Sequence, residues 1–173
     1  MSYLMTATEI EAFASNRIDG NMAIFKNNRL VPFRAEEMFD MVSDVERYPE
    51  FLPGWHRSGV LKREGAVWDI EQEVGFGPFR MCFRSRAVFD RPKRIEIVST
   101  DDPFRKLEIR WSFEPSNHSC CLIDIHMAFT LRSALLKHLV EPAVAGHWRL
   151  IVSAFEERAY AVYSDSDRRS ECG

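Results

Sequence analysis

The stretch VAGHWRLIVSAFEERAYAV, residues 144–162, decides the fold. Its apolar residues Val144, Trp148, Ile151, Val152, Phe155, Ala159 and Val162 recur at intervals of three, four and one. Those intervals hold one stripe of a 3.6-residue helix, with Arg149, Glu156, Glu157 and Arg158 elsewhere on the circumference. Two bulky aromatics on that stripe, Trp148 and Phe155, need a concave partner. Just upstream, Ala134–Val140 reads as a compact apolar helix start with Ser133 as N-cap. Pro142, lacking a backbone donor, is expected to break or kink the helix at that point.

The concave partner is expected from the strands that come before. Ala23–Phe33 reads as a strand, and Ala35–Ser43 as a helix with Met38, Phe39 and Val42 on one side. Pro49 and Pro53 limit Asp44–Trp55 to a short helix and an ordered loop. A brief strand at Ser58–Arg63 and five more come next. Turn residues separate them at Glu64-Gly65, Gly75–Phe79, Arg91-Pro92-Lys93, Asp101–Pro103 and Pro115–His118.

Charge patterning predicts how two of these hairpins pair. Trp68, Ile70, Gln72 and Val74 share one face of their strand; Met81, Phe83, Ser85, Ala87 and Phe89 share one face of the next. Pairing Val74 with Met81 sets Glu71 opposite Arg84 and Asp69 opposite Arg86. In the later hairpin, Trp111 and Phe113 are expected inward with Ile123 and Cys121, which sets Arg110 opposite Asp124 and Glu108 opposite His126. Both hairpins then carry an apolar face and a charge-paired solvent face, as a half-buried antiparallel sheet requires. The arginines Arg80, Arg84, Arg86 and Arg110 read as members of that self-neutralised face rather than as a phosphate-binding surface.

The remaining composition excludes several functions. A hydrophobic content of 46%, a charged content of 28% and a net charge of -3 describe a globular domain, and no DNA partner is expected. A chain of this length buries about two-thirds of its unfolded surface in a single core. No apolar run approaches the roughly 18 residues of a membrane span. Residues 1–21, with Glu9, Glu11 and Asp19, read as an extension without the features of a secretory or mitochondrial leader, disordered or foreign to the native chain. The polar tail 164–173 is expected to be disordered. The four cysteines Cys82, Cys120, Cys121 and Cys172 read as reduced thiols of a cytoplasmic protein. The five histidines form no metal motif, and no catalytic residue or metal ligand is assigned.

The segment Val42–Pro53, VSDVERYPEFLP, resembles the hallmark of a START-like family that includes coenzyme Q-binding proteins and RatA-type ribosome-association inhibitors, also called polyketide cyclase/dehydrase. Pro103-Phe104 with Leu107, Trp111–Pro115 and Ala154–Ala159 continue the resemblance in order across residues 22–163. Two positions depart from the pattern: Gly54 intervenes between Pro53 and the aromatic Trp55, and Asp102 replaces the usual glycine before Pro103. The resemblance implies an α+β helix-grip (START/Bet v 1-like) fold, a seven-stranded curved antiparallel sheet around a long C-terminal helix. It also implies an apolar molecule held between helix and sheet, often without any chemistry.

On that expectation the ligand cavity is lined by Trp68, Ile70, Gln72, Met81, Phe83, Ser85, Trp111, Phe113, Met127, Phe129, Trp148 and Phe155. Gln72 and Ser85 are the polar members; they either bond a buried water or sit near an edge, or else meet the head of a quinone-like ligand. Phe51, Leu52, Trp55, Phe104, Leu135 and Leu139 are expected at the entrance or lid. Apolar alternation looks the same in a filled core and an empty one, so periodicity leaves that choice open. No obligatory cofactor is expected; the bound species would be ubiquinone or a lipid. Contact with the inner face of a membrane would be transient, because no helix carries a Lys/Arg-rich polar face. The alternatives are a RatA-type partner of the large ribosomal subunit and a polyketide aromatase/cyclase.

Overall fold

A computed structural model describes residues 15–19, 21–117 and 119–164. One antiparallel sheet carries eight strands in the order β1-β2-β8-β7-β6-β5-β4-β3. These are β1 (Ser15–Asp19), β2 (Met22–Val31), β3 (Trp55–Glu64), β4 (Val67–Phe76), β5 (Phe79–Asp90), β6 (Arg94–Ser99), β7 (Phe104–Pro115) and β8 (Cys121–Leu131). Seven are the expected strands. The eighth, β1, comes from the segment read as an extension and pairs with β2 from Ser15 opposite Lys26 to Asp19 opposite Met22. The tail expected to be disordered lies, apart from Ser164, outside the described residues.

Between β2 and β3 the chain forms α1 (Ala35–Ser43), a 3-10 turn at Val45–Arg47 and the short α2 (Tyr48–Phe51). Glu37 starts α1 by accepting from the Arg34 backbone N–H at 3.0 Å, and Met38, Phe39 and Val42 are buried as their spacing predicted. Gly54, at φ 86°, turns the chain into β3, and its carbonyl accepts from Gly75 N–H at 2.8 Å. The extra residue thus makes the turn that a side chain would strain.

Hairpin β4–β5 pairs in the register that charge predicted. Val74 faces Met81, Glu71 faces Arg84 and Asp69 faces Arg86. The ion pairs Arg84–Glu71 at 3.1 Å, Arg86–Asp69 at 2.9 Å and Arg80–Glu73 at 3.0 Å line the solvent face. Hairpin β7–β8 differs by two residues from expectation: Arg110 faces His126, and Ser112 faces Asp124. The cause is the turn. Asn117 Oδ1 accepts from the N–H groups of Ser119 (2.9 Å) and Cys120 (2.8 Å), and Ser116 N–H closes on Cys120 O at 2.9 Å. A five-residue loop results. A shift of two leaves every side chain on its predicted face but changes its neighbours. His126 now lies opposite both Lys26 and Arg110. Burial first, then these two cations, hold its imidazole below the ordinary range. Arg110 pairs instead with Glu96 at 3.5 Å.

Helix α3 (Ala134–Tyr163) runs 30 residues without a break. Ser133 caps it, its Oγ accepting from Leu136 N–H at 3.4 Å. Pro142 lies inside this helix and does not end it, so of the expected break or kink the break does not occur. One absent donor is tolerated because the apolar stripe is anchored on both sides, at Val140 and at Val144–Ala159, where the stripe residues are buried. Val162, read as part of that stripe, is 51% exposed; the stripe ends at Ala159, and Tyr160 and Tyr163 pack on Phe33 instead. An Arg29–Glu156 ion pair ties β2 to α3.

Cys120 is disulfide-bonded, which corrects the reading of reduced thiols throughout; Cys82 and Cys121 are free. Cys82 is exposed, whereas Cys121 is fully buried and its thiol is pushed up to about 12, by desolvation first and by Glu36 and Glu37 second. Under native conditions at pH 8, maleimide is therefore expected to label Cys82 and to spare Cys121 until the protein unfolds. Peptide mapping by mass spectrometry reads both sites. Equal labelling of the two in the folded state would contradict the burial of Cys121.

Candidate functional site

Between α3 and the sheet lies a cavity of about 120 Å³. Strands β4 to β8 supply one wall, with Gln72, Val74, Met81, Phe83, Ile97, Phe104, Leu107, Ile109, Trp111, Ile125, Met127 and Phe129. Helix α3 supplies the other, with Val140, Val144, Trp148, Ile151, Val152 and Phe155. Tyr48, Leu52 and Trp55 close one end.

Of the twelve residues expected to line it, Gln72, Met81, Phe83, Trp111, Met127, Phe129, Trp148 and Phe155 do so. Trp68, Ile70, Ser85 and Phe113 do not. Helix α1 accounts for this: its Phe39 ring meets Phe89 at 6.3 Å and Phe113 at 5.7 Å, which fills that part of the concave face. Trp68 lies there too, its ring 4.2 Å from Phe89 and its Nε1 donating to Gly65 O at 3.2 Å. Ile70 and Ser85 are a buried cross-strand pair beside it.

Of the entrance set, Leu52, Trp55 and Phe104 line the cavity. Phe51 packs against Tyr48 at 6.0 Å and Phe155 at 5.4 Å, and borders an outer groove with Arg47, Arg158 and Asp40. Leu135, 71% exposed, and Leu139, 37% exposed, lie on α3 outside the cavity lining. Helix periodicity shows which residues share a stripe but not where the concave face ends, so it cannot separate these two from residues that line the cavity.

Sequence reasoning missed Tyr48, Ile97, Leu107, Ile109 and Val140 among others. The alternation of β6 and β7 carried Ile97, Leu107 and Ile109; Tyr48 lies inside the VSDVERYPEFLP segment. Among the described residues that line the cavity, Tyr48 is the one titratable group. Its hydroxyl donates to Val42 O at 2.5 Å, and burial first, Asp44 second, raise its pKa far above the ordinary phenol value. Gln72 Nε2 donates to Ser58 Oγ at 3.4 Å. The indole N–H groups of Trp55 and Trp148 are buried and have no hydrogen-bond partner among the described residues. Asn27 Oδ1 is in the same condition, on β2 opposite Ile125 and outside the lining. Among the described residues no three His, Cys, Asp or Glu side chains cluster as metal ligands, and no helix is long and apolar enough to cross a membrane.

Comparison with known proteins places this geometry. Residues 31–156 match the family described as polyketide cyclase / dehydrase and lipid transport. The chain is 31% identical over 138 residues to the ribosome association toxin RatA of Pseudomonas aeruginosa, covering 80% of this chain and 96% of the relative. It is 30% identical over 143 residues to the mitochondrial coenzyme Q-binding protein COQ10 homolog B of Xenopus laevis, covering 80% of this chain and 59% of that one. A START superfamily protein from Mycobacterium smegmatis superposes with a TM-score of 0.69 at 18% identity, over 81% of this chain and 99% of the other, a likeness of fold. With a family match across most of its length and the helix-grip architecture in place, the chain belongs to the polyketide cyclase/dehydrase and lipid transport family.

Proposed function

We propose that this protein binds an apolar small molecule between α3 and the sheet and carries it without transforming it. The observation behind this reading is a cavity walled almost wholly by apolar side chains, in which the single titratable group, Tyr48, is already committed to a backbone carbonyl. General acid–base chemistry needs a group that exchanges its proton near the working pH, and a tyrosine this strongly shifted does not. That weighs against the aromatase/cyclase alternative.

The volume bears on the ligand. About 120 Å³ is close to the engineered cavity of about 150 Å³ that takes benzene, and below the roughly 300 Å³ at which ordinary ligand pockets begin. It accepts a ring-sized head; a polyprenyl tail requires the wall to give way. Met81 and Met127, unbranched and adaptable, are the lining residues best suited to that. A polyprenyl quinone or a related lipid fits this pattern, in keeping with the coenzyme Q-binding relative.

A second reading rests on a separate observation, the match to RatA over 96% of that relative's length. On this reading the protein is a partner of the ribosome. The sheet-face arginines Arg80, Arg84 and Arg86 are engaged by carboxylates, which leaves less free charge for RNA.

Native mass spectrometry of protein purified from its own host, with organic extraction of the sample, separates the two. A stoichiometric quinone or lipid is the expected result. A clean apo mass with no uptake of added quinone, together with salt-sensitive cosedimentation with ribosomes, would replace the carrier reading by the ribosomal one.

A further inference from the structure

Cys120 is disulfide-bonded, and the chain has four cysteines. Cys82 and Cys121 are free thiols, so one partner is left, Cys172. Cys120 closes the β7–β8 turn, where its N–H donates to Asn117 Oδ1 at 2.8 Å, and it is 1% exposed. Cys172 lies eight residues beyond Ser164, the C-cap of α3.

The fold brings the two anchor points within reach of each other. At the end of α3 the rings of Tyr160 and Tyr163 lie 4.9 and 6.3 Å from that of Phe33. Phe33 comes two residues after Val31, and Val31 pairs with Cys121 across β2 and β8. That path measures roughly 20 Å, and eight extended residues span up to about 26–29 Å. Helix α1 lies between the two points. Its Asp40 and Met41 share the outer groove with Val162 and Tyr163, and its Glu36 and Glu37 act on the Cys121 thiol.

We propose that Cys120 and Cys172 form a redox-sensitive strap, which fastens the end of α3 to the β7–β8 turn across α1 and is released by reduction. The strap does not depend on what the cavity holds. Its bond closes a loop that contains all of β8 and α3, and so limits how far the unfolded chain separates the helix from the sheet. Forming the bond removes two protons and two electrons from the two thiols; a small-molecule disulfide accepts them and leaves as two thiols, and a dithiol reverses the exchange. The strap therefore holds in an oxidising compartment and opens in a reducing one.

Peptide mapping of the full chain tests the pairing. The protein is equilibrated with oxidised glutathione or with dithiothreitol, alkylated in denaturant and digested with trypsin. In the oxidised sample, peptide 111–132, which holds Cys120 and Cys121, is expected joined to peptide 170–173 through Cys120, as fragmentation between the two cysteines reads. In the reduced sample the two peptides are expected apart. The unfolding midpoint should be about 5–15 °C higher in the oxidised chain, and the gap should vanish in Cys172→Ser, which leaves the buried core untouched. On reduction, amide exchange in the last two turns of α3 should quicken by about tenfold or more while the β4–β5 hairpin stays within about threefold. Peptide 170–173 alkylated in the oxidised chain, or joined to Cys82 or Cys121, overturns the pairing. A Cys120–Cys172 link that changes neither the midpoint nor the exchange overturns the strap and leaves an inert crosslink.

Discussion

Phe155→Ala is expected to destabilise the protein by about 3–5 kcal/mol, which in a domain of this size lowers the unfolding midpoint by about 6–20 °C. Phe155 is 5% exposed and lies where three elements meet. Its ring is 5.4 Å from Tyr48, 5.4 Å from Phe51 and 5.0 Å from Trp111, so it joins α3 to α2 and to β7. Truncation removes those contacts and opens space beside a cavity that already exists, which gives the neighbours little reason to collapse inward. Thermal unfolding tracked by circular dichroism measures the effect. A loss under about 1 kcal/mol would mean that α3 is held elsewhere, by the Arg29–Glu156 pair or the Phe33–Tyr160 contact.

The second large effect concerns binding rather than stability. Val144 is 8% exposed, lines the cavity from α3 and sits one turn before Trp148. Val144→Phe directs a ring into the space the ligand would occupy. Affinity for an apolar ring probe is expected to fall by about a hundredfold or more, roughly 2.7 kcal/mol. Overpacking a filled core costs about 1–3 kcal/mol, but here the new ring enters a void, so the unfolding midpoint should move by no more than about 5 °C. Undiminished affinity in a folded variant would sink the assignment of the cavity as the binding site. A collapse in stability would instead show that the wall cannot admit a ring at Val144. Ile125→Phe, which enters from β8, then repeats the test from the opposite side.

Much of the architecture was legible in particular residues. The β4–β5 register matches the one in which Glu71 meets Arg84 and Asp69 meets Arg86 while Ile70 and Phe83 lie buried on the other face. The β7–β8 register was off by two because the same alternation fits either pairing, and the arbiter is Asn117, whose side chain caps two backbone N–H groups and so lengthens the loop. Charge patterning cannot see that bond. At Pro142 the choice between break and kink needed the structure: a single missing donor weakens a helix locally, but with Val140 and Val144 buried on either side the helix does not break. On the lining, Trp148 and Phe155 could be read from their spacing, whereas Leu135 and Leu139 share a helix with them yet face water.

Sequence by itself determined which residues lie on the inward face of each strand and of α3, because side-chain direction repeats every 2 residues in a strand and every 3.6 in a helix. Only the tertiary structure decided what stands across from them. That α1 fills the Phe89–Phe113 region while a cavity of about 120 Å³ persists beneath Trp148 depends on how α1, α3 and the sheet pack against one another. The same holds for the two indole N–H groups of Trp55 and Trp148, which have no hydrogen-bond partner among the described residues. A tryptophan's need for a partner is intrinsic to the residue, but whether one is within reach is a property of the surrounding walls.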